Sequence, residues 1–512
     1  LSLSEVERPQ HFYMEQDANH TATHINLDGL PDDLSKYDLV HILSKWRGQV
    51  FQNFINICRE RGARKISVSC TDHTPLEEIS GCNVDISFYS NSTSHVVQED
   101  FRDHLPLPGK LLFVMHAERS IVICQGNYVT KVSINTNGKI SDQLQLGILE
   151  GCILGHLLSD THPVMAARFA MHVSQSYEND HQIIQDMPTI TEMGVDDRVA
   201  INAQQVEKVA HVVRMMPEAQ PFDYAGERHP IVGHPHAVDY FFAVTLQQFG
   251  FWEDDGIGYH RPMIATLDGQ QLKGSAYMGQ AFFRKIDSDP DFYSRETQAN
   301  LKKSDLITVM RSEDEHDPLP ELALHLEVAN RFGRDLIALG LTPHALLERV
   351  NAEIKPLTAF IRILDHIGGY KEDPFRKKSN LLAMILSQRP ERFLRKAETE
   401  NLLPVVDYHC MRACLRLGLI DVLDETLQEK LMYRRFVTAD EEWAIRFAAY
   451  KIQAKIEELS GKSIGVVDWF FFNYMRSRCF EMTAPECTTC AANQVCLHRE
   501  QLFQPVFRTT HY

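Results

Sequence analysis

The chain has 512 residues, of which 52 are Lys or Arg and 69 are Asp or Glu, so its formal charge at pH 7 is −17. This length is sufficient for two or three domains. Hydrophobic residues make up 44% and charged residues 24%, which excludes wholesale disorder. The acidic balance argues against a protein that coats duplex DNA with its whole surface, because phosphate binding needs a basic face.

No stretch of about 20 apolar residues occurs, and the first ten residues contain acids but no apolar signal-peptide core. We therefore expect no membrane association and a cytoplasmic location. The odd total of eleven cysteines fits a reducing compartment better than a disulfide framework.

The first third of the chain has the pattern of a mixed α/β domain. Apolar residues with helical spacing predict a helix over residues 39–61. Short runs rich in β-branched residues predict five strands, at residues 65–69, 84–89, 111–116, 120–124 and 128–134. Helical spacing returns at residues 144–158 and 163–171, and the polar stretch 174–202 is interpreted as a linker.

From residue 204 onwards, nearly every segment has helical period. Asp373 and Pro374 form the pattern of an N-cap followed by proline at the first helical position, which predicts a helix starting there. Thr438 and Glu441 have capping-box spacing, and Gly461 closes the predicted helix.

These patterns predict an α+β protein with three parts. Residues 1–200 form an N-terminal α/β domain of unknown role, for which a protein partner is left open. Residues 204–478 form a mostly α-helical domain. Residues 479–512 form a C-terminal loop and tail that carry a metal centre.

The metal prediction depends on four cysteines within 18 residues, namely Cys479, Cys487, Cys490 and Cys496. Thiolates at such short separations can all reach one zinc ion or one [4Fe-4S] cluster. Only one Cys-x2-Cys pair is present, and the wide outer spacings favour the iron-sulfur cluster over zinc. The remaining alternative is four unligated core cysteines, but the intervening residues are mostly polar.

Two segments resemble endonuclease III-type helix-hairpin-helix glycosylases. Residues 467–479, followed by the cysteine loop, are similar to the C-terminus of that family. Residues 404–418 are similar to the helix that carries its catalytic aspartate, here Asp407, which precedes a helix predicted over residues 408–417. The first gap of the cysteine loop is one residue longer than in the family, and the lysine-bearing hairpin that reads DNA is missing.

A larger part of the chain, residues 230–475, resembles the queuosine salvage proteins, which are N-glycosidases that release queuine. Five segments match in order, at residues 241–252, 375–382, 407–408, 442–449 and 468–469. The sequence departs from the family pattern at three positions. Thr245 and Gln248 replace an Asp and an Asn, and His409 replaces an Arg, so the base recognised here is expected to differ from queuine.

Both resemblances imply hydrolysis of an N-glycosidic bond. The sugar passes through a positively charged, oxocarbenium-like state, so a carboxylate beneath the anomeric carbon stabilises the charge or activates the attacking water. Asp407 is the candidate for this role, with Lys377 beside it. The alternative for Asp407 is a plain helix N-cap, and the alternative for Lys377 is a solvated charge.

The resemblance also implies a set of residues around the substrate. These are Thr245, Gln248, Phe249, Phe251, Trp252, Tyr408, His409 and Arg446. The aromatic residues would stack on a flat base, although core packing explains such a run equally well. Arg446 serves either as a ligand contact or as a buried partner of a carboxylate.

The sequence therefore predicts an N-glycosidase that acts on a modified, 7-deazaguanine-like nucleoside or nucleotide. One alternative is a DNA base-excision glycosylase of the endonuclease III kind, which the charge of −17 and the missing hairpin oppose. Another is a non-enzymatic protein that binds a base or nucleotide for regulation; the departures at Thr245 and Gln248 keep this alternative open.

Overall fold

The computed structural model describes residues 31–37, 39–43, 48–71, 83–91, 109–116, 120–125, 128–133, 143–158, 161–180, 194–217, 223–226, 228–314 and 318–512. The chain divides into two compact units, Leu1–Met187 and Pro188–Tyr512. Helices and strands are both abundant, so the predicted α+β class is confirmed. Among the described residues, no helix combines the length and apolar character needed to cross a bilayer.

The first unit contains one six-stranded sheet. Its strands are β1 (Val40–Leu43), β2 (Ile66–Thr71), β3 (Ile86–Asn91), β4 (Leu111–His116), β5 (Ser120–Gln125) and β6 (Tyr128–Ser133). They are arranged in chain order, with β1 to β4 parallel and the last two antiparallel. The helices are α1 (Gly48–Glu60), α2 (Gln143–Leu158) and α3 (Pro163–Asp180).

Helices cover both faces of this sheet. On one face, Phe51 and Ile55 of α1 pack against Val68 of β2. On the other face, α2 and α3 cover the rings of Phe88 and Phe113, which stack with centroids 5.3 Å apart. Because these strands are buried on both faces, their sequences are nearly continuous apolar runs.

The second unit is mostly helical. Its helices are α4 (Ala203–Arg214), α5 (Ala237–Thr245), α6 (Ser275–Phe283), α7 (Arg295–Asn300), α8 (Lys303–Met310), α9 (Leu322–Ala338), α10 (Pro343–Asn351), α11 (Pro356–Leu364), α12 (Lys377–Gln388), α13 (Tyr408–Leu417), α14 (Glu425–Met432), α15 (Ala439–Ser460) and α16 (Ile464–Trp469). A π-helix follows at Phe470–Tyr474, and short 3-10 helices lie at Pro290–Tyr293 and Cys487–Thr489.

Six short strands of this unit form three two-stranded pairs. The strands are β7 (Val199–Ile201), β8 (Trp252–Asp254), β9 (Tyr259–Pro262), β10 (Ile264–Leu267), β11 (Gln270–Lys273) and β12 (Ile420–Val422). β8 pairs with β9, β10 with β11, and β7 with the distant β12, all antiparallel.

Several predicted boundaries are confirmed. The five predicted strands correspond to β2 to β6, and α13 spans the ten residues predicted after Asp407. Thr438 and Glu441 form the predicted capping box of α15, whose C-cap is Gly461 with φ of 68°.

Three predictions of local structure are wrong. The predicted helix at residues 39–61 begins with a strand, β1, and its described helical part is α1, from Gly48. The predicted linker at residues 174–202 starts inside α3 and ends with β7, and residues 181–193 lie outside the described part of the chain. The helix predicted to start after Asp373 begins at Lys377, because Arg376 adopts a left-handed conformation with φ of 55°.

The end of α13 is fastened to the cysteine loop. Its C-cap, Gly418, has φ of 78°, and a Cβ atom there would lie 2.4 Å from the Leu497 side chain. The Leu497 and Arg499 amides donate hydrogen bonds to the carbonyl oxygens of Leu417 and Arg416. Only glycine allows this close approach without strain.

Candidate active site

A buried ion pair holds the framework of the site. Both terminal nitrogens of the Arg446 guanidinium donate to the Asp373 carboxylate at 2.8 Å. Burial alone would raise the pKa of Asp373, but the charges of Arg446 and His511, with the hydrogen bonds from Arg446 and the Lys377 amide, together hold that pKa well below its usual range. The fully buried guanidinium also lies between the rings of Phe375 and Tyr512, 4.7 and 4.8 Å from their centroids.

This pair fixes the ends of two helices. The Asp373 carboxylate accepts hydrogen bonds from the backbone amides of Phe375 and Lys377, at 3.1 and 2.8 Å, where α12 begins. The Nε of Arg446 donates to the carbonyl of Val406 at 3.2 Å, one residue before Asp407. Arg446 therefore positions Lys377 and Asp407. The prediction of Arg446 as a substrate contact is replaced by this structural role, because its side chain is fully buried.

Asp407 is the N-cap of α13. Its Oδ1 atom accepts a hydrogen bond of 3.0 Å from the Cys410 amide, and the residue is only 7% exposed. Its Oδ2 atom accepts no hydrogen bond from the described part of the chain. The capping role therefore engages only one carboxylate oxygen of Asp407 and leaves the other without a protein donor among the described residues.

Two further ionisable groups, Lys377 and Asp468, interact electrostatically with Asp407. Burial lowers the pKa of the Lys377 ammonium, and the nearby Asp407 and Asp373 carboxylates partly offset this shift. Burial and then the charge of Asp407 raise the pKa of Asp468 to about 8, although Lys377 opposes the rise. Among the described residues, neither Lys377 nor Asp468 has an ion pair within 4.0 Å. The three groups thus act on one another electrostatically although no ion pair joins them.

His409 follows on the same helix as a neutral hydrogen-bond donor. Arg412 donates to its Nδ1 atom at 3.1 Å, and an arginine can only donate, so the ring proton lies on Nε2. Burial and the charge of Arg412 lower the pKa of His409 well below its usual range. Glu481 completes this layer, with Oε1 3.4 Å from the same Nδ1 atom and Oε2 2.6 Å from the Lys273 ammonium.

The predicted stacking wall is largely occupied by other protein side chains. Phe249 is fully buried; its ring stacks on His325 with centroids 4.1 Å apart, and the Lys378 ammonium lies 5.1 Å from its centroid. Trp252 is 4% exposed and stacks on Tyr259 at 5.5 Å. Phe249 therefore packs in the core of this conformation, and its contact with a substrate stays a prediction.

Three other predicted contacts share one small cavity. Phe251, Trp252 and Tyr408 line a space of about 20 Å³, which holds about one water molecule. Thr245 is buried at the end of α5, and Gln248 is partly exposed. Neither of these two side chains has a hydrogen bond to another described residue. The cavity is too small for a base in this conformation.

The cysteine loop follows the π-helix and lies against α13. The buried Arg416 of that helix donates to the carbonyls of Leu502 and Phe480 at 2.9 and 2.6 Å, and to the Cys479 sulfur at 3.4 Å. The His498 amide donates to the Cys496 sulfur at 3.3 Å. Such N–H···S hydrogen bonds are typical of iron-sulfur ligands, whose potential they adjust.

The sulfurs of the cysteine loop are not spaced as a zinc site of four thiolates. Four thiolates around one zinc ion lie about 3.8 Å apart, given tetrahedral geometry and a Zn–S bond of about 2.3 Å. No three of the sulfurs in this fully described loop lie within 4.8 Å of one another, although Cys487 lies that close to His498 and Glu500. Among the described residues, these three side chains are the group whose spacing suits a single metal ion.

Sequence reasoning did not select Asp468 as a site residue. A signal was present, since this acid interrupts the otherwise apolar run from Val466 to Phe472, and an acid in a buried run needs a reason. The structure brings together Lys377, Asp407, Tyr408 and His409, but leaves Phe249 and Arg446 in the core.

Comparison with known proteins gives no match to a family model or to a curated protein. The assignment of a reaction therefore depends on the geometry of the site.

Replacing Arg446 with Met should cost about 3–5 kcal/mol of unfolding free energy, because the Asp373 charge stays buried without its partner. Arg261→Met is the matched control, since Arg261 pairs with Glu253 at the surface and is 64% exposed; it should cost less than about 1 kcal/mol. Urea unfolding measures both. Equal losses in the two variants would contradict the structural role of Arg446.

Proposed function

We propose that this protein hydrolyses the N-glycosidic bond of a modified, 7-deazaguanine-like nucleoside or nucleotide, within a glycosylase-like helical domain. The observation that carries the proposal is that Asp407, Asp468 and Lys377 lie within electrostatic range of one another without direct pairing. A carboxylate, a carboxylic acid and an ammonium near one another are the groups that this reaction needs. The resemblance to queuosine salvage proteins supplies the substrate class.

In the proposed reaction, the C1′–N bond breaks and its electron pair stays with the base. Asp407 Oδ2 stabilises the positive charge on the sugar and takes a proton from the attacking water, whose oxygen bonds to C1′. Asp468 is protonated at neutral pH, since its pKa is raised to about 8, and it gives its proton to the departing base. Lys377 holds the polar groups of the sugar or its phosphate.

We further propose that the cysteine loop holds a [4Fe-4S] cluster through Cys479, Cys487, Cys490 and Cys496. When bound, the cluster would supply structural cross-linking of the tail and would take no part in hydrolysis. Arg416 links the cysteine loop to the site. It donates hydrogen bonds to the loop and is part of α13, the helix that Asp407 caps.

Asp407→Asn should reduce kcat by roughly a hundred- to a thousandfold, because the charge that stabilises the sugar is lost. The fold should survive, since asparagine is also a good N-cap. Asp424→Asn is the matched control, because Asp424 caps α14 through the Leu427 amide at 2.7 Å. Product analysis by liquid chromatography, with circular dichroism on each variant, tests this; full turnover in Asp407→Asn would remove the assignment.

The activity of the wild-type protein should fall as pH rises through about 8, because Asp468 then loses the proton that it donates. Above that value the loss approaches about tenfold per pH unit. Asp468→Asn should be slower and should lack this alkaline limb. Glu150→Gln is the control, since burial also raises the pKa of Glu150, in the first unit. An unchanged limb in Asp468→Asn would exclude Asp468 as the acid.

Cys487→Ser should lower both iron content and thermal stability, because metal binding contributes directly to folding. His498→Ala is the control: it should leave iron content unchanged if the four cysteines are the ligands. Metal analysis of anaerobically purified protein measures the outcome. Zinc in the wild-type protein that disappears in His498→Ala would instead assign the mixed group of Cys487, His498 and Glu500.

A further inference from the structure

An exposed tryptophan stands beside the proposed proton donor. Trp469 follows Asp468 directly and ends α16, with 42% of its surface exposed. Its indole has no ring contact and no hydrogen bond among the residues that the structure describes. By contrast, Trp252 is 4% exposed, and Trp443 packs against Phe375 and Phe447.

The backbone that carries this indole is anchored in the core. Val466 and Val467 anchor α16 in the core, and Phe470 and Phe471 directly after Trp469 are fully buried. The helix then widens into the π-helix Phe470–Tyr474, an arrangement that is frequent at functional sites. An exposed aromatic ring on such a rigid support is pre-organised for a flat ligand, because little conformational entropy is lost on binding.

The other aromatic rings near the site are more covered than Trp469. Phe249 is fully buried, and Trp252 already stacks on Tyr259. Tyr408 is partly exposed, but the cavity beside it holds about 20 Å³. Trp469 is therefore the most exposed of these rings that a purine-like base could meet beside Asp468.

We propose that Trp469 stacks on the base that is released. This inference rests on the proposed function and names the residue that binds the leaving group. Consecutive residues of a helix point about 100° apart, so the indole lies to one side of the Asp468 carboxyl group. A base on that indole would present its edge to the acid, and the stacking would favour any flat heteroaromatic base over a sugar alone.

The kinetic test compares Trp469→Ala with Trp469→Phe. Loss of stacking should raise KM roughly tenfold or more in the alanine variant, with kcat little changed, because the base is held alike in the ground and transition states. The phenylalanine variant should recover most of this loss. Wild-type KM in Trp469→Ala would overturn the inference.

A binding test does not need turnover. In protein carrying Asp407→Asn, titration with 7-deazaguanosine 5′-monophosphate should quench tryptophan fluorescence by stacking on Trp469. Adding Trp469→Phe should abolish the quenching, whereas adding Trp443→Phe, the matched control, should leave it. Quenching that persists in Trp469→Phe would contradict the inference. If the quenching depends on Trp469 but the wild-type protein hydrolyses no nucleotide, the stacking site is supported and the proposed hydrolase activity is refuted.

Discussion

The ion pair between Arg446 and Asp373 is the interaction on which the site depends. It joins α15 to the start of α12 and, through the Val406 carbonyl, to the start of α13. The helix starts that carry Lys377 and Asp407, 30 positions apart in the chain, are thereby held by one side chain. Burying two charges is costly unless each is fully paired, and here the carboxylate also accepts two backbone amides. The pair therefore matters more for the positions of the site residues than for the net stability of the fold.

α13 connects this pocket to the cysteine loop. Asp407 caps its first turn, His409 and Arg412 continue along the helix, and Arg416 bonds to the loop beside Cys479. The loop backbone then pairs with the last turn of the helix at Gly418. A metal centre in the loop would thus stabilise the helix that presents the candidate acid, without any contact between metal and substrate.

The sequence predicted elements whose boundaries depend on local signals. α13 and α15 begin and end as predicted, because their caps lie within the segment itself. The helix predicted to start after Asp373 begins later than expected. The Asp373 carboxylate is bound by Arg446, 73 positions along the chain, which no local signal predicts. The strand β1 was missed because a four-residue apolar run fits a helix or a strand, and only its pairing with β2 decides. Likewise, no sequence signal distinguishes the covered ring of Phe249 from the exposed ring of Trp469.

Product analysis of the wild-type protein tests the central claim most directly. Anaerobically purified protein would be incubated with a panel of nucleosides and 5′-monophosphates that includes queuosine and unmodified guanosine, and the products identified by mass spectrometry. The account predicts release of a free 7-deazaguanine-type base together with the intact sugar or sugar phosphate. If the protein forms a complex with a member of the panel but leaves every glycosidic bond intact, the site binds nucleotides without hydrolysing them, and the account is contradicted.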